Sequence, residues 1–394
     1  METIVESTET KESTGGRQTS LRAGPSPKVD LSIEIVEVKN NRELKEFLSL
    51  PQHIYTDPDT RYVFPLNLHM KMMIGKLGSP EKHFLIARKN GKIVARMAAK
   101  VHQHEGKKTL NFGFFESLEG QDAAVSMLVE NLHSRYPHLK MMGPFQFRME
   151  DPYIGVLVEG YDRDPYFLMP YNPTYYDALL NQAGLSKVMD LYTHQIETPH
   201  NLDPILVQNA EKAASKGVTI RALNPKKLNE EARNIARIFN DALSKNWGFE
   251  EFLDEQVKEM VMLFKLFIDH RVVVFAQLNG VDVGCLLMIP NYNPIIKEGR
   301  GRITPGLILN YFRRKKITNT IRGYALGVLK DYHGYGIGSA LTKALFDKGP
   351  TVGYNTCEVS WVLANNGPMN ELSKAMGAKH SKVYRVYEKS PTAL

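Results

Sequence analysis

The pattern of apolar and polar residues predicts that the first half of the chain is built from strands and two helices, and the first helix, rich in Glu, Lys and Leu, runs from about Asn41 to Leu50. Leu31 to Val38 alternates as a strand with one buried face does. His83 to Val101 places two apolar runs on either side of Asn90-Gly91, the strongest short signal for a β-hairpin. The elements that follow are a strand at Leu110 to Phe115, an amphipathic helix at Gln121 to Tyr136 and a strand at Lys140 to Phe145.

The same order of elements returns in the second half. Its elements are a strand at Val218 to Ala222, helices at Leu228 to Leu243 and Leu253 to Ile268, and an apolar hairpin at Arg271 to Pro290 about Asn279-Gly280. We therefore predict a tandem repeat of one α/β unit, divided near Asn201 into lobes at 31–200 and 201–394. Because unrelated α/β domains also share hairpins, the alternative of two unrelated domains stays open.

The composition of the chain indicates its number of domains and the compartment in which we expect it. The 394 residues suffice for two domains of ordinary size, and 43% of them are hydrophobic, as in soluble globular proteins. Cys285 and Cys357 give neither a disulfide framework nor a zinc spacing, so we expect a reducing, cytoplasmic compartment and no metal. Residues 1–30 are polar and lack the pattern of a secretory signal or a typical transit peptide, so we expect a disordered tail.

The net charge of +7 suits an anionic partner. A nucleic acid is the least favoured of these partners, because no nucleic-acid motif accompanies the charge. The segment 297–322 concentrates basic residues, and its part from Pro305 onwards spaces apolar residues as a helix does. We expect either a membrane surface or an acidic acyl carrier protein to contact 305–322, or this segment to cover the core with a solvated basic tip.

The stretch Ala325 to Leu341, ALGVLKDYHGYGIGSAL, predicts a strand, a tight glycine turn and the start of a helix. Glycine allows the backbone to approach a ligand closely, and the unpaired amides of a first helical turn favour an anion such as a pyrophosphate. In the run GxGxG the third glycine comes one residue too early for the GxGxxG motif of a dinucleotide-binding fold. The run also lacks the lysine of a P-loop. An ordinary strand–helix turn is the alternative.

The string V-x-x-x-Y-H-G-Y-G-I-G-S-x-L, from Val328 to Leu341, resembles the acyl-CoA signature of the GNAT superfamily of N-acyltransferases. The resemblance implies two tandem lobes, each with a mixed, mostly antiparallel sheet flanked by helices. It also implies that the loop amides hold the pyrophosphate of coenzyme A and that the preceding strand pairs with its pantetheine arm. The residues to which it assigns cofactor binding are Leu326, Gly327, Val328, His333, Gly334, Tyr335, Gly336, Ile337, Gly338, Ser339 and Asn366. Asn366 suits a helix cap equally well.

Catalytic candidates follow the glycine loop. In a strand at Asn355 to Ala364, strict alternation places Glu358 and Ser360 on one face and Cys357, Val359 and Trp361 on the other. Glu358 is our candidate for the base that deprotonates an amine acceptor, with Ser360 beside it. A carboxylate that faces solvent or pairs with a lysine is the alternative.

The usual general acid of the family is absent. The stretch Asn366 to Ala378 resembles the second GNAT block but carries Ser373 where the family has a tyrosine. Tyr384, in the closing strand, could substitute as the acid or could simply pack in the core.

The first lobe lacks the glycine loop, which suggests that it shapes the acceptor site instead. Its segment Pro165 to Tyr176, PYFLMPYNPTYY, predicts a rigid aromatic wall. We expect this wall either to pack between the lobes or to line a pocket for an apolar or long acceptor, oriented by Asn172, Tyr175 and Tyr176.

Together these features predict an N-acyltransferase that moves an acyl group from acyl-CoA, or from an acyl carrier protein, to a small-molecule or lipid amine. A protein that binds acyl-CoA or lipid without catalysis is the alternative, motivated by the missing tyrosine. Transfer that depends on aminoacyl-tRNA, as in tandem GNAT-like peptidoglycan enzymes, is disfavoured because it needs no intact CoA loop. The sequence leaves the oligomeric state open.

Overall fold

The computed structural model describes residues 32–104, 106–148, 152–198 and 200–392, so the predicted tail at 1–30 lies outside the described residues. The strands are β1 (Ile33–Glu37), β2 (Lys82–Lys89), β3 (Lys92–His104), β4 (Lys107–Ser117), β5 (Lys140–Gly143), β6 (Val156–Glu159), β7 (Ser186–Glu197), β8 (Thr219–Ala222), β9 (Val273–Leu278), β10 (Val281–Pro290), β11 (Thr320–Val328), β12 (Thr356–Leu363) and β13 (Lys379–Lys389). The helices are α1 (Asn41–Ser49), α2 (Pro51–Ile54), α3 (Asn67–Ile74), α4 (Asp122–Arg135), α5 (Tyr176–Gln182), α6 (Pro204–Ser215), α7 (Leu228–Ala242), α8 (Asp254–Phe267), α9 (Asn293–Ile296), α10 (Pro305–Phe312), α11 (Arg314–Ile317), α12 (Ile337–Thr351) and α13 (Gly367–Ala375).

The strands form one continuous sheet in the order β1-β2-β3-β4-β5-β13-β7-β12-β11-β10-β9-β8, with β6 also paired to β13. The two halves of the chain exchange a strand. The last strand, β13, pairs with β5 of the first half, and β7 of the first half pairs with β12 of the second. The boundary near Asn201 therefore stays a sequence-based prediction, and hydrogen bonds of the sheet cross it.

Both predicted hairpins are confirmed. Asn90 and Gly91 have φ values of 52° and 75°, and Asn279 and Gly280 have 50° and 80°. Two successive left-handed residues are the requirement of a type I′ turn, which Asn-Gly meets at low cost. Within the described strands, β4–β5 and β11–β12 pair in parallel and all other pairs are antiparallel, which confirms the predicted α/β class with mostly antiparallel sheets.

Both parallel strand pairs separate part of the way along. In the second half, β11 and β12 pair only over Thr320–Gly323 and Thr356–Val359. Beyond Gly323, β11 still pairs with β10 along one edge but no longer pairs with β12 along the other. The first half repeats this, since β4 pairs with β5 only over Thr109–Asn111. Each half thus has a gap in its sheet, and the gap of the second half lies beside the glycine loop.

The helices of the second half lie on both faces of the sheet, and successive side chains of β9 contact helices on opposite faces. Val273 and Phe275 pack with α7 and α8, whereas Val274 and Ala276 pack with α6 and α12. The gap between β11 and β12 is therefore covered by helices on both sides of the sheet.

Candidate active site

The glycine loop presents a row of free backbone amides. Gly334 and Gly336 have φ values of 79° and 84°, and Gly336 is the residue from which α12 starts. Within the described residues, the amides of Gly334 and of 336–339 have no hydrogen-bond acceptor, whereas the Tyr335 amide donates to the Tyr332 carbonyl at 3.3 Å. The first paired amide of α12 is that of Ala340, which donates to the Gly336 carbonyl at 3.0 Å. Unpaired amides at a helix N-terminus suit an oxyanion such as a phosphate.

The glycines of the loop differ in how much space the structure leaves for a side chain. A Cβ on Gly336 would lie 2.0 Å from the Asn209 carbonyl oxygen, because α6 crosses α12 at this point. A Cβ on Gly338 would meet nothing closer than Leu326 Cδ2 at 3.8 Å. Gly336 is therefore required by helix packing as well as by its left-handed backbone, whereas Gly338 leaves space in front of the free amides.

Two side chains of the loop hold it in place. The Nε2 atom of the exposed His333 lies 3.1 Å from the Val328 carbonyl oxygen, which ties the loop to the end of β11. The ammonium of Lys216 lies 3.7 Å from the centre of the Tyr335 ring. The structure thus gives His333 a contact with the protein backbone, and a role in cofactor binding stays a prediction.

A cavity of about 190 Å³ lies in the strand gap on the α12 side, and we call it the α12 cavity. Its walls include Leu326 and Val359, which lie on the two separated strands. They also include Leu345 and Phe346 of α12, the helix that follows the loop. Asn366 also lines it, while the Asn366 side chain accepts a hydrogen bond from the Met369 amide and caps α13.

A second cavity, of about 290 Å³, lies on the opposite face of the sheet, and we call it the α8 cavity. Its walls are mainly aromatic and aliphatic side chains of α7, of α8 and of the segment between them. The predicted wall Pro165 to Tyr176 contributes Phe167 and Leu168. The two cavities share the wall residues Leu243, Asn246, Tyr324, Ala325 and Trp361. They meet where β11 leaves β12.

The proposed base Glu358 is not in the wall of either cavity. It is fully buried, forms an ion pair with Lys382 of β13 and accepts a hydrogen bond from Ser381 Oγ at 3.4 Å. Burial raises the pKa of Glu358, and the Lys382 ammonium opposes that rise. The alternative of a carboxylate paired with a lysine is the arrangement found, because β13 of this sheet brings Lys382 against β12.

The ion pair gives a prediction about stability. Replacing Lys382 by Met leaves a buried carboxylate unpaired, so we expect a loss of about 3 kcal/mol in the free energy of unfolding at neutral pH. The loss of the ammonium raises the pKa of Glu358 further. The folded variant then holds a proton that the unfolded chain has released, so its stability falls as the pH rises. Chemical denaturation of the Lys382→Met variant between pH 5 and 8 measures this, with the double variant Lys382→Met/Glu358→Gln as the control. Equal pH slopes in the two variants would contradict the prediction.

The strict alternation predicted for β12 is wrong at one point. The pairing of β12 with β7 shifts between Val359 and Val362, and this irregularity adds a residue to the strand. As a result Trp361 packs with Leu363 and Tyr384 on the face toward which Glu358 points, and not with Cys357 and Val359.

Ser360 and Tyr384 lie near the gap but with their hydroxyls already bonded. Ser360 lines the α12 cavity, and its Oγ accepts a hydrogen bond from Arg322 Nε at 2.9 Å. Tyr384 is fully buried, lines neither cavity and donates its hydroxyl to the Pro170 carbonyl at 3.2 Å. Burial also raises the pKa of Tyr384 well above its ordinary value. The structure therefore places Tyr384 in the core, and its role as the general acid stays a prediction.

The three expected acceptor-orienting residues lie in the first lobe and not at the gap of the second. Asn172 bonds the backbone of Leu157, with its Oδ1 2.7 Å from the amide nitrogen. Tyr175 donates to the Ser117 carbonyl at 2.8 Å, and Tyr176 donates to Glu116 Oε2 at 2.7 Å. The aromatic segment reaches the α8 cavity with Phe167 and Leu168 and has passed into the first lobe by Asn172, so the acceptor-orienting role of these three residues stays a prediction.

Arg322 is the site residue that the sequence analysis missed. Its side chain is 1% exposed, lines the α8 cavity and lies over the Trp361 ring. An arginine in an otherwise apolar strand, between Ile321 and Gly323, was the available signal. A charged residue at a buried strand position needs partners and is often functional.

Comparisons with known proteins agree with this geometry. Residues 232–378 match the Acetyltransferase (GNAT) family. The chain is 27% identical over 385 residues to the bacterial ceramide synthase of Caulobacter vibrioides (strain NA1000 / CB15N), covering 93% of this chain and 100% of that protein. It is 28% identical over 367 residues to Protein YghO of Escherichia coli (strain K12), covering 89% and 93%.

Among solved structures, a tandem GNAT protein from the clavulanic acid biosynthesis pathway superposes with a TM-score of 0.51 at 12% identity, over 92% of this chain and 99% of that one. This likeness confirms the predicted tandem fold. Among the described residues, no helix has the length and apolar character needed to cross a membrane.

Proposed function

We propose that the protein is an N-acyltransferase that joins the acyl group of an acyl-CoA to an amine with a long apolar body, because residues 232–378 match the Acetyltransferase (GNAT) family. The observation that carries the proposal is the position of the strand gap. The gap lies between a row of free loop amides and two apolar cavities that meet at Ala325. A phosphate-bearing donor and two apolar chains could therefore converge on one point.

The loop residues suit the pyrophosphate of coenzyme A. The amides of Gly334 and of 336–339 are free, and the space before Gly338 is open. From Ala325 to Val328, no described strand pairs with the edge of β11 that faces the gap, so these backbone groups could bond the amides of a pantetheine arm. When bound, the acyl-CoA supplies the activated thioester.

The protein's contribution to the reaction is mainly position. Holding the amine nitrogen in line with the carbonyl carbon removes much of the entropic barrier of a two-substrate reaction. An amine that enters an apolar cavity also loses its proton more readily, because burial disfavours the ammonium form. Deprotonation therefore does not require Glu358 to reach the substrate, and a thiolate is a good enough leaving group to depart without Tyr384.

The apolar walls favour a lipid acceptor over a polar one. The α8 cavity is built from side chains such as Phe249, Phe252 and Met260, which would bury a hydrocarbon chain. One relative is named a bacterial ceramide synthase, and a ceramide is the amide of a long acyl chain and a long-chain amine. Two apolar cavities on opposite faces of one sheet suit a product with two chains.

Thiol release tests the proposal. Purified protein is mixed with acetyl-, octanoyl- or palmitoyl-CoA and with a panel of amines from ethanolamine to long-chain amino alcohols. We expect release with a long-chain amine and none with ethanolamine. CoA binding without release in any combination would favour the alternative of a binding protein without catalysis.

We further propose that 302–317 docks on an anionic membrane, from which the lipid amine enters the α8 cavity. Ile308, Leu309 and Phe312 of α10 are exposed, Phe312 by 75%, and Lys315 and Lys316 follow them. Tyr311 of α10 donates a hydrogen bond to the Leu266 carbonyl of α8, so this basic and apolar surface adjoins the cavity wall. Apolar side chains flanked by basic ones suit a membrane whose headgroups are anionic.

Vesicle sedimentation tests the membrane contact. We expect the protein to bind phosphatidylcholine vesicles that contain about a third phosphatidylserine. The Phe312→Ser variant should bind them about tenfold more weakly, because it forgoes the burial of one aromatic side chain. Val281→Ser, which changes an apolar residue that is 51% exposed on the β9–β10 hairpin, is the control. Equal binding by both variants, or binding only to an acyl carrier protein, would contradict the proposal.

A further inference from the structure

Three buried polar atoms near the strand gap have no hydrogen-bond partner within the described residues. They are Nη2 of Arg322, Nε1 of Trp361 and Oε1 of Glu358. Leaving a buried polar atom unpaired costs about 1–3 kcal/mol, so such atoms are rare in folded proteins and ask for an explanation. Arg322 and Trp361 line the α8 cavity, whereas Glu358 does not line it.

The two free donors are held next to each other. Arg322 Nε donates to Ser360 Oγ at 2.9 Å, and Arg322 Nη1 donates to the Phe167 carbonyl at 3.0 Å. The guanidinium carbon lies 4.2 Å from the centre of the Trp361 ring. Guanidinium and indole nitrogens are donors only. Each of these two donors therefore needs an acceptor with a lone pair, such as an oxygen.

The charge balance of this cluster favours an oxygen that carries negative charge. Glu358 is already paired with Lys382, and Arg322 forms no ion pair within the described part of the chain. Burial without a matching carboxylate lowers the pKa of Arg322. A developing oxyanion would compensate the guanidinium charge, whereas an ammonium group would be repelled by it.

The position in the sheet identifies which oxygen it is. Arg322 lies one residue before Gly323, the last residue of β11 that pairs with β12. Trp361 lies on β12 just beyond Val359, the other member of that last pair. The two donors therefore flank the point at which the strands separate, and Trp361 lines both cavities there.

We propose that Arg322 Nη2 and Trp361 Nε1 bind the carbonyl oxygen of the acyl group and stabilise the negative charge that it acquires. This rests on the proposed function. The amine nitrogen forms a bond to the carbonyl carbon while one electron pair of the C=O bond moves to the oxygen. That pair then returns, the C–S bond breaks, and the proton that the amine loses ends on the thiolate through solvent.

Binding of two CoA analogues tests this without turnover. In the first analogue a methylene group replaces the thioester sulfur, so the carbonyl is kept. In the second a methylene group replaces the carbonyl and the sulfur is kept. We expect calorimetry to show that the wild type binds the ketone about tenfold more tightly than the thioether, the value of one charge-assisted hydrogen bond.

Two conservative variants localise the effect. Trp361→Phe removes the N–H and keeps an aromatic ring, and Arg322→Lys keeps the charge and removes the fork. We expect each variant to lose most of the preference for the ketone, to bind the thioether as the wild type does, and to show about a tenfold lower kcat/KM. Thermal unfolding near the wild-type temperature shows that the fold is intact.

Equal affinity of the wild type for both analogues would overturn the proposal. So would variants that weaken both analogues equally, because that is the result of a purely structural role. Failure of the wild type to bind either analogue would overturn the proposed function, and this proposal with it.

Discussion

The Gly338→Asp variant should bind coenzyme A about a hundredfold more weakly than the wild type, or about 2.7 kcal/mol. Gly338 lies in the first turn of α12, where the free amides lie, and a Cβ added there would meet no atom closer than 3.8 Å. A carboxylate at this place faces the same space as the pyrophosphate. At about 4 Å and an effective dielectric constant of about 20, like unit charges repel by roughly 4 kcal/mol, and solvent reduces this.

The matched control is Gly338→Asn, which has the same size and no charge. An acidic residue in the first turn stabilises a helix, so Gly338→Asp is expected to fold. Calorimetry with CoA at low and physiological salt measures both variants, and the difference between them should shrink at the higher salt concentration. If Asp and Asn bind CoA equally, the pyrophosphate does not lie at these amides. Gly336 is a poor test position, because any side chain there would collide with Asn209.

Features set by short stretches of sequence were predictable. The two Asn-Gly turns and the strand, glycine turn and helix around Gly336 each depend on the backbone preferences of neighbouring residues. The Thr304 cap of α10 belongs to the same class, since its Oγ1 accepts from the Leu307 amide at 3.1 Å. Such local signals do not require knowledge of the distant partner in the fold.

Features set by distant pairing were not predictable. The exchange of β7 and β13 between the halves is invisible in the alternation of either strand, because both would look the same in an unexchanged sheet. That exchange brings Lys382 against Glu358 and gives the expected base a buried partner. The irregularity after Val359 likewise turns Trp361 to the other face, since one extra residue reverses the side-chain alternation.

The acceptor residues show a third limit. The aromatic density of Pro165 to Tyr176 correctly indicated a wall, because Phe167 lines the α8 cavity. Which of its members reach the gap depends on the path of the segment, and this path leaves the second lobe before Asn172. Tyr176 consequently bonds Glu116 of the first lobe. The composition of the segment predicted a wall, but only the path of the chain in the folded protein shows which of its residues line the cavity.

Replacing Ala325 by Phe should separate long-chain from short-chain activity. Ala325 is half-buried and lines both cavities at the point where they meet. A benzyl group there fills the junction and keeps part of any long chain in water. Each methylene left in water forgoes about 0.8 kcal/mol, so four of them lower kcat/KM by more than about a hundredfold. Transfer from acetyl-CoA to a short amine, where such an amine is accepted at all, should change by less than about threefold.

The control for Ala325→Phe is Ala325→Ser, which alters the residue without filling the junction. Both variants should bind CoA as the wild type does, because Ala325 lies away from the loop amides. Overpacking by the larger ring costs about 1–3 kcal/mol in stability, so thermal unfolding accompanies the kinetics. A folded Ala325→Phe protein that transfers palmitoyl groups at the wild-type rate would mean that no chain crosses the junction. The two cavities would then have to serve separate ligands, and the argument for a two-chain product would fail with that result.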